Sequence, residues 1–284
     1  MSKCELPEPA AIQTGRIDGT QYSVYGRGEP LVLIHGVGME QRIWLPQLHA
    51  LSDRYQVITY DMLGHGGSRT PSEDVVLADY AAQLQHLLDQ LDIDTAAVAG
   101  HSMGALVALE FAIRFPARVR RVAALNAVFM RSAAQQEAVR QRALLLKTAG
   151  VASTLDATIA RWFGQPIPPE HVLAANDIIG IMRRVDPTGY QRSYQLFAES
   201  DAVHAEALKT LAMPALFMTG ELDPNSTPSM SKAMADRTPN STFDVLKNAR
   251  HMMTVTSASE VNQRLSLFLE GKPVGRQAAS CSDA

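Results

Sequence analysis

The fold of this chain is decided by the stretch Ala96-Ala97-Val98-Ala99-Gly100-His101-Ser102-Met103-Gly104. It places a G-x-S-x-G pattern between an apolar run and a second apolar segment, residues 105–112, which has the composition of a helix. A strand, a sharp turn and a helix around such a serine define a nucleophile elbow, which lifts the hydroxyl above the edge of a sheet. Glycines on both sides of the turn let the strand and the helix approach closely. We therefore predict that Ser102 is a catalytic nucleophile.

Short apolar runs recur on both sides of this elbow, and helical segments separate most of them. The runs cover residues 12–17, 22–25, 31–35, 57–60, 96–99, 122–125, 215–218 and 242–246. Unbroken apolar strands that alternate with helices are typical of a mostly parallel sheet covered on both faces. The predicted fold class is therefore α/β, with a mostly parallel, doubly wound sheet.

The alternation stops between about residues 126 and 213, where the sequence is mostly helical in character. Loop signals interrupt this stretch at residues 164–169 and 186–189. We interpret it as a helical cap inserted between two strands of the core. The predicted domains are a core of residues 1–127 and 212–270, a cap of residues 128–211 and a flexible C-terminal tail of residues 271–284.

Composition limits the classes of partner that the chain can have. Its 284 residues carry a net charge of −3 and are 46% hydrophobic, enough for one large domain with an insertion. This charge favours neither nucleic acid nor an anionic membrane as a partner. No apolar run approaches the roughly 20 residues that span a bilayer, and the first residues lack a signal-peptide core. Cys4 and Cys281 suggest neither a disulfide framework nor a metal site, so we expect a cytoplasmic protein without a metal.

A serine in an elbow needs a base, and the base needs an acid that orients it. In this architecture the chain order is serine, acid, histidine. Among eight histidines, only His251 follows the last two predicted strands, in a loop before the last helix. The acid should follow the strand of residues 215–218, where Asp223 is the predicted acid and Glu221 the rival. The acid can instead follow the preceding strand, but Asn126 occupies that position and cannot ionise.

An oxyanion hole needs two N–H donors. One is predicted to be the backbone N–H of Met103, directly after the nucleophile. The other should come from the loop after residues 31–35, where Val37 is flanked by glycines that let the backbone turn. His35 is predicted to brace this loop, and His101 to pack beside the elbow, without a chemical role for either.

Together these residues resemble the α/β-hydrolase superfamily, and the resemblance runs from about residue 21 to residue 269. The segment Tyr60–Ser68 is similar to the Asp-x-x-Gly-x-Gly-x-Ser loop of that superfamily. At finer grain the chain looks like the 3-oxoadipate enol-lactonase group, because Arg161–Phe163 and Met182–Tyr190 are similar to segments of its cap. The resemblance implies a hydrolase that needs no cofactor and acts on a small-molecule substrate. A homodimer is left open.

The predicted cap lies over the site and should select the substrate. Its aromatic residues offer apolar surface, and its arginines can grip a carboxylate with two parallel hydrogen bonds. The aromatic candidates are Trp162, Phe163, Tyr190, Tyr194 and Phe197. The arginine candidates are Arg131, Arg161, Arg183, Arg184 and Arg192. Gly36 and Met252, next to the oxyanion loop and the base, complete the predicted binding residues.

These residues predict a serine hydrolase that cleaves an ester or enol-lactone of a small carboxylated catabolic intermediate through an acyl-enzyme. The same triad would also serve an amide-type C–N hydrolase of an unsaturated dicarboxylate, or a C–C bond hydrolase of ring-cleavage products. Outside the enzymes, the fold could act as a small-molecule receptor. The sequence leaves these alternatives open.

Overall fold

The computed structural model describes residues 9–274, and eight strands within them form one sheet. The strands are β1 (Gln13–Ile17), β2 (Thr20–Tyr25), β3 (Glu29–Ile34), β4 (Tyr55–Tyr60), β5 (Ala96–His101), β6 (Val119–Leu125), β7 (Ala215–Gly220) and β8 (Ser241–Leu246). Each apolar run that predicts a strand overlaps one of them. The cause is burial on both faces, which favours continuous apolar stretches over alternating ones.

The strands lie in the spatial order β1-β2-β4-β3-β5-β6-β7-β8. β2 pairs antiparallel with β1 and β4, and every later pairing in this order is parallel. β5, which leads into the elbow, lies at the centre of the sheet and is buried along its whole length. The predicted α/β class with a mostly parallel sheet is confirmed.

Helices cover both faces of the sheet. In chain order they are α1 (Leu45–Leu51), α2 (Leu77–Gln90), α3 (Met103–Arg114), α4 (Ala133–Ala149), α5 (Ala152–Phe163), α6 (Val172–Met182), α7 (Pro187–Glu199), α8 (Pro228–Ala235), α9 (Met253–Thr256) and α10 (Ala258–Leu269). The elbow helix α3 is apolar on nearly all sides because it packs against β5, β6 and α2 together. Its two charged side chains, Glu110 and Arg114, form an ion pair one turn apart.

The inserted helical cap is present as α4 to α7, between β6 and β7. The segment Asp186–Gly189 is not the loop that its composition predicts. Asp186 caps α7 instead, accepting a hydrogen bond from the backbone N–H of Thr188 (3.1 Å), and Pro187 is the first helical residue. Proline suits that position because its φ is already helical and its missing N–H is not needed there.

The parallel register brings the carboxyl ends of four strands to one edge. Ile34 pairs with Gly100, His101 with Leu125, and Leu125 with Met218. The loops after β3, β5, β6 and β7 therefore start side by side. This edge carries the residues from which the site is built.

The predicted boundaries of core, cap and tail stay predictions. Residues 271–274 follow α10, whereas residues 275–284 of the predicted tail lie outside the described residues, as do both cysteines. Within residues 9–274, none of the helices is long and apolar enough to cross a bilayer.

Candidate active site

The elbow forces Ser102 into a strained backbone conformation, with φ 57° and ψ −118°. L-residues avoid positive φ, so the surrounding structure has to hold the serine there. That structure depends on two glycines. A Cβ on Gly100 would lie 2.0 Å from the carbonyl oxygen of Gly104, and one on Gly104 would lie 2.3 Å from the carbonyl oxygens of Ile34 and His35. Only glycine fits where α3 presses against β3 and β5.

Ser102, His251 and Asp223 form one chain of hydrogen bonds at the edge of the sheet. The Ser102 hydroxyl lies 3.2 Å from Nε2 of His251, in a position to donate to it. On the other side of the ring, Nδ1–H of His251 donates to Oδ2 of Asp223 at 2.7 Å. All three side chains are buried. The structure thus brings together the predicted nucleophile, base and acid, which are far apart in the sequence.

The Asp223 carboxylate accepts four hydrogen bonds. Oδ1 accepts from the backbone N–H groups of Asn225 (2.8 Å) and Ser226 (3.2 Å), and Oδ2 also accepts from the side-chain amide of Asn126 (2.7 Å). Burial works to raise the pKa of Asp223, but the charge of His251 and these hydrogen bonds outweigh it and hold the pKa below its ordinary value. The carboxylate is therefore ionised and fixed. The rival Glu221 is exposed and accepts from the N–H of Asn248 instead.

Val37 lines the same cavity as Ser102, and Met103 follows Ser102 directly in the chain. Met103 is the first residue of α3, so its N–H has no partner in its own helix. Within residues 9–274, neither its N–H nor that of Val37 donates to another group. Gly36 lies against the nucleophile, since a Cβ there would be 3.2 Å from Cβ of Ser102. The two free donors can stabilise negative charge on an oxygen beside Ser102.

Two buried histidines brace this loop. His35 donates from Nδ1 to the Gly36 carbonyl (2.8 Å) and accepts from the N–H of Met62 at Nε2 (3.0 Å). His65 accepts at Nε2 from the N–H of Gly38 (2.9 Å). Burial lowers the pKa of His35 to about 4 and, with the nearby His35, that of His65 to about 3. Both are neutral at physiological pH, so each can accept a hydrogen bond that a charged ring could not.

His101 holds the loop of the base. Its Nε2–H donates to the backbone carbonyl of His251 at 2.8 Å, and the two rings lie 5.0 Å apart. Burial and the neighbouring His251 lower the pKa of His101 to about 3, so this ring is also neutral. His101 thus fixes the backbone of residue 251.

A cavity of about 130 Å³ opens over Ser102 and His251, beneath the cap. The core contributes loop residues to its wall, and α4, α5 and α7 contribute the rest. Its lining residues are Val37, Ser102, Arg131, Gln135, Ala138, Arg142, Thr158, Arg161, Trp162, Tyr194, Phe197, Pro224, Asn225 and His251. Three of these are arginines, whereas no aspartate or glutamate lines the wall.

The three arginines differ in how far the protein satisfies them. Arg131 pairs with Asp201 at 3.6 Å, but its Nη2 is buried and has no partner among the described residues. Arg161 donates to the hydroxyl of Thr158 (2.8 Å), and its buried Nε has none. Arg142 donates to the hydroxyl of Tyr194 (3.0 Å). Burial lowers the pKa of Arg131 and of Arg161, yet a guanidinium stays charged in proteins. The wall therefore carries positive charge, part of which Asp201 balances.

Several predicted binding residues do not reach this cavity. Arg183 and Arg184 follow the end of α6, are exposed and do not line the cavity, so their predicted role in binding stays a prediction. Arg192 donates instead to the carbonyl of Pro71 and to Glu73. Phe163, Tyr190 and Met252 are buried in the packing around the cavity and do not line it. Helix packing turned these side chains away, and composition alone does not show which face a helix presents.

The sequence analysis missed Arg142 and assigned no role to Asn126. Arg142 shares one face of α4 with Gln135 and Ala138, at spacings of three and four residues, and all three line the cavity. That spacing was a signal that could have found it. Asn126 was dismissed because it cannot ionise, although an amide at that position can donate to the acid.

Within residues 9–274, the His, Asp and Glu side chains form no group that could hold a metal ion. The charged and hydrogen-bonding groups at the edge of the sheet instead suit attack by an oxygen nucleophile on a polarised acyl carbon.

Residues 29–258 match the family model described as the alpha/beta hydrolase fold. The chain therefore belongs to the α/β-hydrolase family. It is 38% identical over 252 residues to (E)-2-((N-methylformamido)methylene)succinate hydrolase of Acinetobacter baylyi, which covers 89% of this chain and 94% of that protein.

Enol-lactonases are also among the relatives. 3-Oxoadipate enol-lactonase 1 of the same organism is 28% identical over 243 residues, covering 84% of this chain and 88% of that protein. The crystal structure of the enol-lactonase from Burkholderia xenovorans LB400 superimposes with a TM-score of 0.83 at 26% identity, covering 91% of this chain and all of that one. The predicted resemblance to the enol-lactonase group is confirmed, and named hydrolases among the relatives make this chain a hydrolase.

Proposed function

We propose that this chain is a serine hydrolase that cleaves the amide-type C–N bond of a small unsaturated dicarboxylate. The cavity over Ser102 carries this proposal, because three arginines and no carboxylate side chains line it. Each arginine can bind a carboxylate through parallel hydrogen bonds. Arg161 and Arg142 make no ion pair among the described residues, so their charges remain available to an anionic ligand.

The scissile bond is proposed from the A. baylyi hydrolase. Its name describes a substrate with a formamide joined through a carbon–carbon double bond to a succinate. Such a molecule combines an amide carbonyl for Ser102 with two carboxylates for the arginines. The sequence alone favoured an ester or enol-lactone and gave C–N hydrolysis as the alternative. The higher identity to the A. baylyi C–N hydrolase, 38% against 28% for enol-lactonase 1, supports the opposite order.

The proposed reaction begins when His251 takes the proton of Ser102 as its Oγ attacks the acyl carbon. The N–H groups of Val37 and Met103 stabilise the oxyanion, and Asp223 stabilises the imidazolium. His251 then returns the proton to the leaving nitrogen, the C–N bond breaks and the acyl group stays on Ser102. Water, deprotonated by His251, attacks the acyl-enzyme and releases the acid.

A second candidate is hydrolysis of an enol-lactone, in which a ring oxygen takes the place of the leaving nitrogen. The enol-lactonase relatives favour it. The proposed triad and oxyanion donors would serve both reactions, since both pass through an acyl-enzyme. The two candidates differ in the leaving group, and substrates can therefore separate them.

A substrate panel tests the proposal. The purified protein is assayed with an N-acyl enamine of an unsaturated dicarboxylate, with the dimethyl ester of the same amide, and with an enol-lactone that carries one carboxylate. We expect amide cleavage to be fastest on the free diacid and at least tenfold slower on the diester. A lactone that turns over faster than the amide would select the second candidate. Equal rates on diacid and diester would contradict the role of the arginines.

A fluorophosphonate probe tests the nucleophile independently of the substrate. We expect one covalent adduct, which peptide mass spectrometry locates on Ser102. Hydrolysis should fall in proportion to the labelled fraction and be lost when labelling is complete. Labelling of another residue, or activity that survives full labelling of Ser102, would contradict the mechanism.

A further inference from the structure

One face of the His251 imidazole is covered by a residue of the cap. The indole ring of Trp162 stacks on it, with ring centroids 5.7 Å apart and planes only 24° from parallel. Trp162 lies near the end of α5, and both side chains are buried. The sequence analysis assigned Trp162 to substrate binding, but this contact is made to the base itself.

We infer that Trp162 is a positioning residue for His251, and that its indole face stabilises the imidazolium that forms when Ser102 loses its proton. The inference rests on the proposed role of His251 as base. A cation within about 6 Å of an indole centroid is attracted by the negative face of the ring. Parallel stacking also restricts rotation of the imidazole about its side-chain bonds, which keeps Nε2 directed at Ser102.

The charges around His251 make this contact important. Most of them are positive and therefore destabilise an imidazolium. Arg131, Arg142 and Arg161 line the same cavity, and Arg250 precedes the base in the chain. Asp223 is the one carboxylate in contact with the ring among the described residues. Neutral His101 lies 5.0 Å away on another side. Asp223 and the indole face therefore act together to offset the positive charge of the arginines.

A second contact ties the same end of α5 to the loop of the base. Gly164, the residue after α5, has a φ of 96°, and a Cβ there would lie 3.0 Å from Nε of Arg250. The backbone of the cap and the side chain that precedes His251 are thus packed together. Since Trp162 and Gly164 are two residues apart, the end of α5 and the loop of the base form one unit. The cap, which should choose the substrate, thereby also sets the geometry of the base.

The contact has an optical signature because the sequence contains only two tryptophans, Trp44 and Trp162. In a Trp44→Phe, Ser102→Ala protein, which supports no turnover, emission comes from Trp162 alone. A protonated imidazole quenches an indole that it touches. We expect the emission of this protein to fall in acid, and this transition to disappear when His251→Gln is added. A transition that persists without His251 would overturn the contact.

Kinetics separate positioning from substrate binding. Trp162→Leu keeps His251 covered but removes the π face, and Trp162→Phe keeps a smaller one. We expect kcat to fall about five-fold in Trp162→Leu and less in Trp162→Phe, with KM nearly unchanged. The acid limb of the kcat/KM profile should move to lower pH in the same order, because the protonated base has lost a stabilising contact.

Leu155→Ala is the matched control, since Leu155 is buried on the same helix without lining the cavity. It loosens the packing of α5 but should leave the acid limb in place. A Trp162→Leu protein with a raised KM, unchanged kcat and an unmoved acid limb would make Trp162 a substrate contact and overturn the inference. If Ser102 is not the nucleophile, the fluorophosphonate experiment shows it separately. The fluorescence titration does not depend on catalysis, so it tests the Trp162 contact in either case.

Discussion

The two walls of the active site differ in the charge of the polar groups that the protein leaves without a partner. On the core side, Asp223 accepts four hydrogen bonds and His35, His65 and His101 are held as neutral rings. On the cap side, guanidinium atoms of Arg131 and Arg161 are buried without partners. An unsatisfied buried donor costs about 1–3 kcal/mol. Among the described residues, Asn126 Oδ1 and Ser226 Oγ on the core side are unpartnered too. These are neutral groups, whereas the unpartnered atoms of the cap wall belong to charged guanidinium groups.

This difference indicates that the two walls have different roles. A preorganised set of donors and acceptors around a nucleophile lowers the barrier because it does not need to rearrange during the reaction. A wall with unsatisfied charges instead gains free energy from the ligand itself. Changes on the core side should therefore affect turnover or stability, and changes on the cap side should depend on the charge of the substrate.

The largest effect should follow from Ser102→Ala. We expect kcat to fall by a factor of roughly 10⁵ with the fold intact, because attack by Ser102 and proton transfer to His251 are lost together. Steady-state kinetics measures the loss, and circular dichroism shows whether the fold is kept. Turnover within tenfold of the wild type would show that Ser102 is not the nucleophile.

Replacing a helical glycine with alanine should change the free energy of unfolding in opposite directions at two positions. Gly104→Ala places a Cβ against two backbone carbonyls, so we expect unfolding to become easier by about 3 kcal/mol or more. In Gly180→Ala, on α6 of the cap, the added Cβ meets only the end of the Arg184 side chain, at 3.4 Å. There we expect a gain of about 0.5–1 kcal/mol from helix propensity. Urea denaturation measures both, and two losses of similar size would contradict the close packing assigned to Gly104.

Removal of a cap arginine should depend on the substrate. Arg161→Met is expected to lower kcat/KM about 100-fold for a dicarboxylate but less than about threefold for its dimethyl ester. Arg142→Met should behave in the same way. Arg140→Met is the control, because Arg140 is exposed on α4 and does not line the cavity. A loss of equal size on the ester would mean that the arginines support the fold and not the anion.

Acid should destabilise the core wall through its neutral histidines. The pKa values of His35, His65 and His101 lie at about 3 to 4 in the folded chain, below the ordinary value of 6.5. Between these limits the unfolded chain binds more protons, so stability falls as the pH falls from 6.5 towards 4. Each such histidine contributes a slope of up to about 1.4 kcal/mol per pH unit.

His101→Gln tests this slope. Glutamine can still donate to the carbonyl of His251 but cannot titrate, so the stability of this variant should depend less steeply on pH than that of the wild type. Urea denaturation at several pH values gives the comparison, and identical slopes for wild type and His101→Gln would contradict the assignment of His101 as a buried neutral ring.

Sequence reasoning reached most of the core because its signals are local or follow chain order. Apolar runs mark the buried strands, and the elbow fixes the central one. Asp223 and His251 could be chosen because they follow particular strands, and parallel strands end at one edge. The predicted roles of Val37 and Met103 likewise follow from position next to a strand or a helix start.

The cap could not be predicted to the same depth, because the orientation of a helix is set by what it packs against. Trp162 and Phe163 are neighbours in sequence but lie about 100° apart around α5. One therefore lines the cavity and stacks on His251, and the other is buried in the cap. Arg183 and Arg184 were predicted to bind substrate and Arg142 was not, for the same reason. The sequence shows the charge of a side chain but not which way it points from its helix.

The cap is joined to the core at a point where two glycine backbones touch. A Cβ on Gly189, in the first turn of α7, would lie 2.5 Å from Cα of Gly64 in the core loop after β4. Nearby, the hydroxyls of Ser193 and Tyr80 lie 2.8 Å apart, and Thr70 donates to Asp186 at 2.6 Å. In protein engineering, these contacts between α7 and the core should be kept unchanged. Specificity can be redesigned by exchanging α4, while α7 and the end of α5 with Trp162 are kept to hold the cap and the base in place.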